Sequence, residues 1–182
     1  GGREATALSQ AGYEVVAMEP ETDFYAELRK AADGDESLTA LQTSHEQLIN
    51  EPVKDIDQFD AIVIGWGSLS HVLEGEDVAR LTQRLNQLCP KGPLLMSFFV
   101  RKPPHKLSRS RRRLRSFIKS WSPINREMDG YLRFDYRLGL VRTHDLGWLE
   151  QLASGNDRSV AFFKPYPYGH AVLFHLSNST DD

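Results

Sequence analysis

The first twenty residues, GGREATALSQAGYEVVAMEP, limit the possible folds more than any other stretch. They read as a glycine turn at Gly1-Gly2, a short helix from Arg3 to Ala11 and a C′ glycine at Gly12. A buried strand from Tyr13 to Met18 follows, with an acid, Glu19, at its end. That order is half of a nucleotide-binding βαβ unit. The strand that should feed the glycine turn is not in the sequence, so the chain is read as a fragment or an N-terminally clipped domain.

The remainder continues the alternation. Pro20 opens a second helix at a first-turn position, where its missing N–H costs nothing, and Glu21 and Asp23 suit that turn. Phe24 and Leu28 lie four apart on its inner face, and Asp33-Gly34-Asp35 ends it. Leu38–Thr43 is a third element, read as a strand. Ala61–Ile64 and Leu94–Val100 are apolar enough to be buried parallel strands. Between them Val78, Leu81, Leu85 and Leu88 form a helical stripe. Strand–helix alternation of this kind implies an α/β sheet with helices on both faces. The last two strands, Val160–Lys164 and His170–Leu176, are joined by Pro165-Tyr166-Pro167-Tyr168-Gly169. A connection of about five residues cannot make a parallel crossover, so this pair is antiparallel.

The 182 residues suffice for one domain with a real core, and 40% hydrophobic and 26% charged residues describe a globular protein. A single cysteine, Cys89, excludes an internal disulfide and suggests a reducing, cytoplasmic setting. No apolar run approaches the roughly 20 residues that span a bilayer. The net charge of −3 hides an asymmetry: residues 101–126 hold ten Lys/Arg and no Asp/Glu, which leaves −13 for the rest. Leu114, Phe117, Ile118 and Trp121 give this segment the spacing of a basic amphipathic helix. Segregated charge speaks of partners, here an anionic substrate, nucleic acid or a membrane surface, with Arg111, Arg112, Arg113 and Arg115 as the contacts. The competing reading is a solvated helix whose arginines pair with the acidic remainder.

With these parts in order, the chain resembles class I S-adenosylmethionine-dependent methyltransferases over nearly its whole length. Gly1-Gly2-Arg3-Glu4 looks like the last part of that family's G-x-G-x-G turn. Glu19 matches the acid that ends the family's second strand and grips the cofactor ribose. Phe59–Ile64 resembles its fourth strand, Trp66–Val72 the loop facing the substrate, and the terminal hairpin its strands six and seven. The resemblance implies a Rossmann-like methyltransferase sheet, mostly parallel with an antiparallel C-terminal hairpin, whose central first strand is absent from the chain. Residues 1–182 would form one domain with a basic, lid-like insertion at about 101–142. The implied cofactor is S-adenosylmethionine, with no metal, and the implied reaction is in-line methyl transfer to a small molecule.

The cofactor contacts so implied are Gly1, Gly2, Glu19, Pro20, Ser44, His45, Gly65 and Trp66. Ser68, His71 and Tyr131 would face the substrate. The family often places Asp near Ser44 to bond the adenine amino group; here the Ser44 hydroxyl or nearby backbone would serve. A glycine turn before a helix lets backbone N–H groups approach a ligand, and a strand-end carboxylate can accept two hydroxyl hydrogen bonds. His71 could act as a general base or merely cap a helix, and holding the reactants in line can carry most of the rate without it. Tyr131, Phe134 and Tyr136 could line a substrate pocket or pack in the core. Two alternatives remain. One is a non-catalytic adaptor that binds an anionic polymer or membrane through residues 101–126. The other is a nicotinamide dehydrogenase, against which the terminal hairpin and Pro20 directly after the acid both argue.

Overall fold

The computed structural model describes residues 2–51, 58–101, 131–135, 138–165 and 169–175. It divides into two compact units, Gly1–Asp55 and Ile56–Asp182. Gly1, the basic residues 102–130, including Arg111, Arg112, Arg113 and Arg115, and Tyr136 lie outside the described residues.

The first unit runs α1 (Arg3–Gln10), β1 (Val15–Met18), α2 (Thr22–Ala32), β2 (Leu38–Leu41) and α3 (His45–Asn50). Strands β1 and β2 are parallel, in register from Val15↔Leu38 to Met18↔Leu41. Helix α1 ends as the sequence predicts. Gly12 takes φ 92°, its N–H donates to Ser9 O, and the Tyr13 N–H donates to Leu8 O. This is a Schellman stop that reverses the chain into β1. Among the described residues of this unit, Leu28, Leu38 and Leu48 are the buried apolar ones. A polar knot closes the other end: the Ser9 hydroxyl donates to Asp35, whose second oxygen accepts both the N–H and the hydroxyl of Ser37. The Ser9 hydroxyl, then that of Ser37, hold Asp35 below the usual carboxylate range.

Two expectations for this unit are corrected. Phe24 is 51% exposed, and α2 buries Leu28 alone. Pro20 does not open α2. The helix begins at Thr22 with Glu21 as its N-cap, so Pro20 stands one residue outside. Two contacts keep it in the strand-to-helix turn: Glu19 Oε1 accepts the Glu21 N–H, and Gln42 Nε2 donates to Pro20 O.

The second unit is built on β4 (Leu94–Val100). Strand β3 (Ile62–Ile64) pairs with it in parallel, Ile62↔Leu94 to Ile64↔Met96. Between them the chain forms a 3₁₀ turn, η1 (Ser68–His71), and α4 (Gly75–Leu88). The predicted stripe Val78, Leu81, Leu85 and Leu88 is buried in full. Strands β5 (Leu132–Asp135) and β6 (Gly139–His144) form an antiparallel hairpin, and helix α5 (Leu146–Ser154) follows. Strands β7 (Arg158–Lys164) and β8 (Gly169–His175) are antiparallel, as predicted, with a register shift between Val160 and Phe162. Strand β8 lies antiparallel on β4, Leu94↔Leu173 to Phe98↔Gly169.

Strands β3 and β6 share one edge of β4. Alternate residues of a strand direct their hydrogen-bonding groups to the same edge. Pro93 O accepts from Ile62 of β3, whereas the N–H of Arg101, eight residues on and so of the same parity, donates to His144 O of β6. Beyond the short β3, strand β6 therefore takes over the ladder in parallel, Phe99↔Thr143 and Val100↔His144. Its residues Val141 to His144 are buried. Strand β3 is less enclosed than its apolar sequence implies. Among the described residues it pairs only with β4, and Val63 is 47% exposed.

Candidate functional site

In the first unit, the predicted residues gather at one end. Helix α1 spans about 12 Å and β1 about 13 Å. Because the Schellman turn sends the chain back on itself, Gly2 and Glu19 return to the same end. Gly2 is the N-cap of α1 at φ 82°, and a Cβ there would meet Leu28 Cδ1 at 3.1 Å. Both the left-handed backbone and the close approach of Leu28 require glycine, and this glycine stands at a helix N-terminus. Glu19 follows the last residue of β1 and continues its ladder, its N–H donating to Leu41 O. The half-buried carboxylate is aimed by one bond, from the Glu21 N–H at 3.2 Å.

Ser44 and His45 lie just past β2, at the same carboxyl edge. Ser44 has a structural role that the sequence pattern was not read to give it. Its hydroxyl accepts the Gln47 N–H, and Gln47 Oε1 accepts the Ser44 N–H, a complete capping box for α3. The S-x-x-Q spacing carried that signal. The hydroxyl proton is still available to a ligand.

In the second unit, the loop after β3 holds Gly65, Trp66, Ser68 and His71. Trp66 has φ 52°, unusual for a bulky residue, and is 65% exposed. Gly67 follows at φ 74°, where a Cβ would only touch the Phe99 ring, at 3.4 Å, so it is the left-handed backbone that favours glycine. Three ties hold this strained path. The Gly67 N–H donates to Ser97 Oγ at 3.1 Å, the Phe99 N–H to Ser70 Oγ at 2.8 Å, and the Ser68 hydroxyl to Gly65 O at 2.7 Å. Ser68 is thus occupied with shaping the loop, while His71 is exposed at its end. Ser70 and Ser97, both buried, carry much of the loop's geometry and were missed because a lone serine gives no sequence signal.

Tyr131 is fixed by its carbonyl, which accepts both the N–H and the hydroxyl of Thr143. Its ring faces two guanidiniums, Arg101 with Cζ at 4.6 Å and Arg142 at 5.5 Å from the centroid. Arg142 is buried and donates to Leu73 O. Phe134, the other described aromatic of that segment, is exposed.

His144 was also missed. It is fully buried, with its ring 4.0 Å from that of Trp148 and edge-on to Phe98, and among the described residues neither ring nitrogen makes a hydrogen bond of normal geometry, the Leu69 backbone being the nearest polar neighbour to act on it. Desolvation first, and the neighbouring Arg142 second, lower its pKa to about 4, so the ring is neutral near pH 7.

No family model matches the chain, and no curated protein matches it either. Solved structures do. One is the Burkholderia thailandensis 1,6-didemethyltoxoflavin-N1-methyltransferase with bound 1,6-didemethyltoxoflavin and S-adenosylhomocysteine. It is 14% identical, with a TM-score of 0.65, over 97% of this chain and 67% of that one. A second is the CcbJ methyltransferase from Streptomyces caelestis, 11% identical with a TM-score of 0.68, over 97% of this chain and 80% of that one. A third is the magnesium protoporphyrin IX methyltransferase from Synechocystis with bound S-adenosylhomocysteine, 15% identical with a TM-score of 0.60, over 93% of this chain and 67% of that one. Among the described residues, no helix is long and apolar enough to cross a membrane. The shared architecture, an alternating α/β chain closed by an antiparallel hairpin, establishes that this chain has the fold of the class I S-adenosylmethionine-dependent methyltransferases.

Proposed function

We propose that the protein is an S-adenosylmethionine-dependent methyltransferase that transfers a methyl group to a small-molecule acceptor by in-line displacement. The observation that carries this reading is the pairing of Gly2 and Glu19 at one end of the first unit: a left-handed glycine cradle at a helix N-terminus, and a carboxylate just past a parallel strand. A cradle of that kind suits the carboxypropyl end of the cofactor, and the carboxylate suits two ribose hydroxyls. Pro20, Ser44 and His45 flank the same edge and would border the nucleoside. When bound, the cofactor supplies a methyl group on an activated sulfonium.

Gly65 and Trp66 are proposed as further cofactor contacts, and Ser68, His71 and Tyr131 as substrate contacts. His71, exposed at the end of η1, could accept a proton from an oxygen or nitrogen acceptor. The larger share of the rate would come from holding the acceptor in line. Calorimetry with S-adenosylhomocysteine tests the proposal. The protein should bind it, and Glu19→Ala should bind it at least about tenfold more weakly, as expected for lost hydrogen bonds to a charged group. Absence of binding by the intact protein would remove the main claim. Equal binding by both would remove Glu19 from the site.

A further inference from the structure

We propose that Arg101, laid over the Tyr131 ring at the carboxyl end of β4, anchors a carboxylate carried by the methyl acceptor. The inference rests on the methyltransferase reading for the word acceptor; the anion site itself rests on geometry within the second unit.

Arg101 is the first residue past β4, and its N–H donates to His144 O at 2.8 Å, so its backbone is fixed as if still in the sheet. Ligands of open α/β sheets bind outside the carboxyl ends of the parallel strands, and β4 and its parallel neighbour β6 both end here, at Val100 and His144. The Arg101 side chain is 43% exposed. Tyr131 gives its guanidinium a platform, with Cζ 4.6 Å from the ring centroid.

The ordinary alternative is a surface ion pair with Asp145. The geometry disfavours it. Arg101 Nη1 and Asp145 Oδ2 are 3.9 Å apart, beyond the 2.7–2.9 Å, roughly, of a charge-assisted hydrogen bond. Asp145 is already engaged elsewhere, since its Oδ1 accepts the Trp148 N–H at 2.9 Å as the N-cap of α5. Among the described residues, nothing accepts a hydrogen bond from the Arg101 guanidinium. A second cation, Arg142, faces the same tyrosine from the buried side and donates to Leu73 O. Among the described residues, two guanidiniums face this ring and the carboxylate of Asp145 stands 3.9 Å from one of them.

The donor geometry selects among anions. One supported planar fork matches one planar, singly charged carboxylate through two parallel N–H···O bonds. A phosphate dianion calls for more donors, and Arg142 is committed to the Leu73 carbonyl.

The test follows the arginine Nε–Hε resonances of the full chain by NMR, at constant ionic strength, with three probes. Benzoate is the carboxylate, benzamide its neutral counterpart and inorganic phosphate the competing anion. The Arg101 signal should shift saturably with benzoate and not with benzamide. Arg101→Met should bind benzoate at least about tenfold more weakly, the scale of a lost charge-assisted pair. Arg101→Lys should recover only part of the affinity. Equal shifts with benzamide, unchanged benzoate affinity in Arg101→Met, or tighter binding of phosphate than of benzoate would each overturn the proposal. S-adenosylhomocysteine affinity, measured on the same samples, should be unchanged by Arg101→Met. If benzoate finds Arg101 while S-adenosylhomocysteine does not bind at all, the methyltransferase reading fails and the anion site stands.

Discussion

The Phe99 N–H donates to the Ser70 hydroxyl at 2.8 Å, pinning η1 to the end of β4. Because Ser70 is fully buried, no water can replace its oxygen. Ser70→Ala should therefore leave an amide without its partner and cost about 1–3 kcal/mol. Urea unfolding would register this as a lower midpoint at unchanged slope. A midpoint equal to that of the parent would mean that η1 is held by its apolar neighbours instead.

Trp66 stores strain. A tryptophan at φ 52° is costly, by about 1–3 kcal/mol for a non-glycine residue in this region. Asparagine tolerates the left-handed region better. Trp66→Asn is expected to gain about 1 kcal/mol in stability and to weaken S-adenosylhomocysteine binding. Unfolding curves and calorimetry on one sample decide the matter. Lower stability with intact binding would make Trp66 a packing residue.

His144 should make stability fall in mild acid. Its folded pKa, about 4, lies below the ordinary 6.5, because burial opposes the charged ring and Arg142 repels it. Between those values the unfolded chain binds the proton and the folded chain does not. The protein is thus at full strength above about pH 6.5, loses stability as the pH falls towards 4, and loses no more from this group below it. The span is worth about 3 kcal/mol. His144→Phe should flatten this part of the profile, read from urea midpoints at pH 7 and pH 5. The same slope in both proteins would place the acid sensitivity elsewhere.

Arg158 should be costly to truncate. It is 1% exposed, yet its described partners include no carboxylate. Its guanidinium donates to Asn86 Oδ1 and to the carbonyls of Cys89, Gly92 and Leu173. It thereby closes the C-terminal end of α4 and binds it to the final hairpin. Arg158→Met would strand several buried carbonyls and should cost about 3–5 kcal/mol. Arg158→Lys should rescue little, since a point charge cannot reach carbonyls spread around a planar fork. Thermal unfolding of both variants checks this, and near-parental stability in the lysine variant would refute the account.

Much of the fold was legible because its signals are local. The stripe on α4 repeats every three to four residues, β4 is a run in which only Ser97 is polar, and the short link between β7 and β8 admits only one strand direction. The strand-end position of Glu19 was legible because an acid directly after a short apolar run marks where the strand stops. The remainder depends on contacts across long sequence distances. Arg142, Thr143 and His144 look like a polar surface segment, yet β4 takes them into the sheet and buries them. Arg158 reads as a charged residue before a strand until carbonyls from three other places surround it. Val63 misled in the opposite sense, since an apolar side chain does not reveal whether its strand has neighbours on both sides.

The shared edge of β4 also bears on the order in which the chain can fold. The first unit closes its ladder between residues a few tens apart, Val15 with Leu38, so it can form as soon as those residues exist. Strand β4 must wait. Its partners beyond β3 are Thr143, His144 and the residues 169–173, which come much later in the chain. Long-range pairing of this kind carries a large loop-closure cost and slows the search for the native state. During synthesis the six apolar residues of β4 would emerge well before most of what covers them. A chain built this way gains most from slow translation, or a chaperone, between β4 and the closing hairpin.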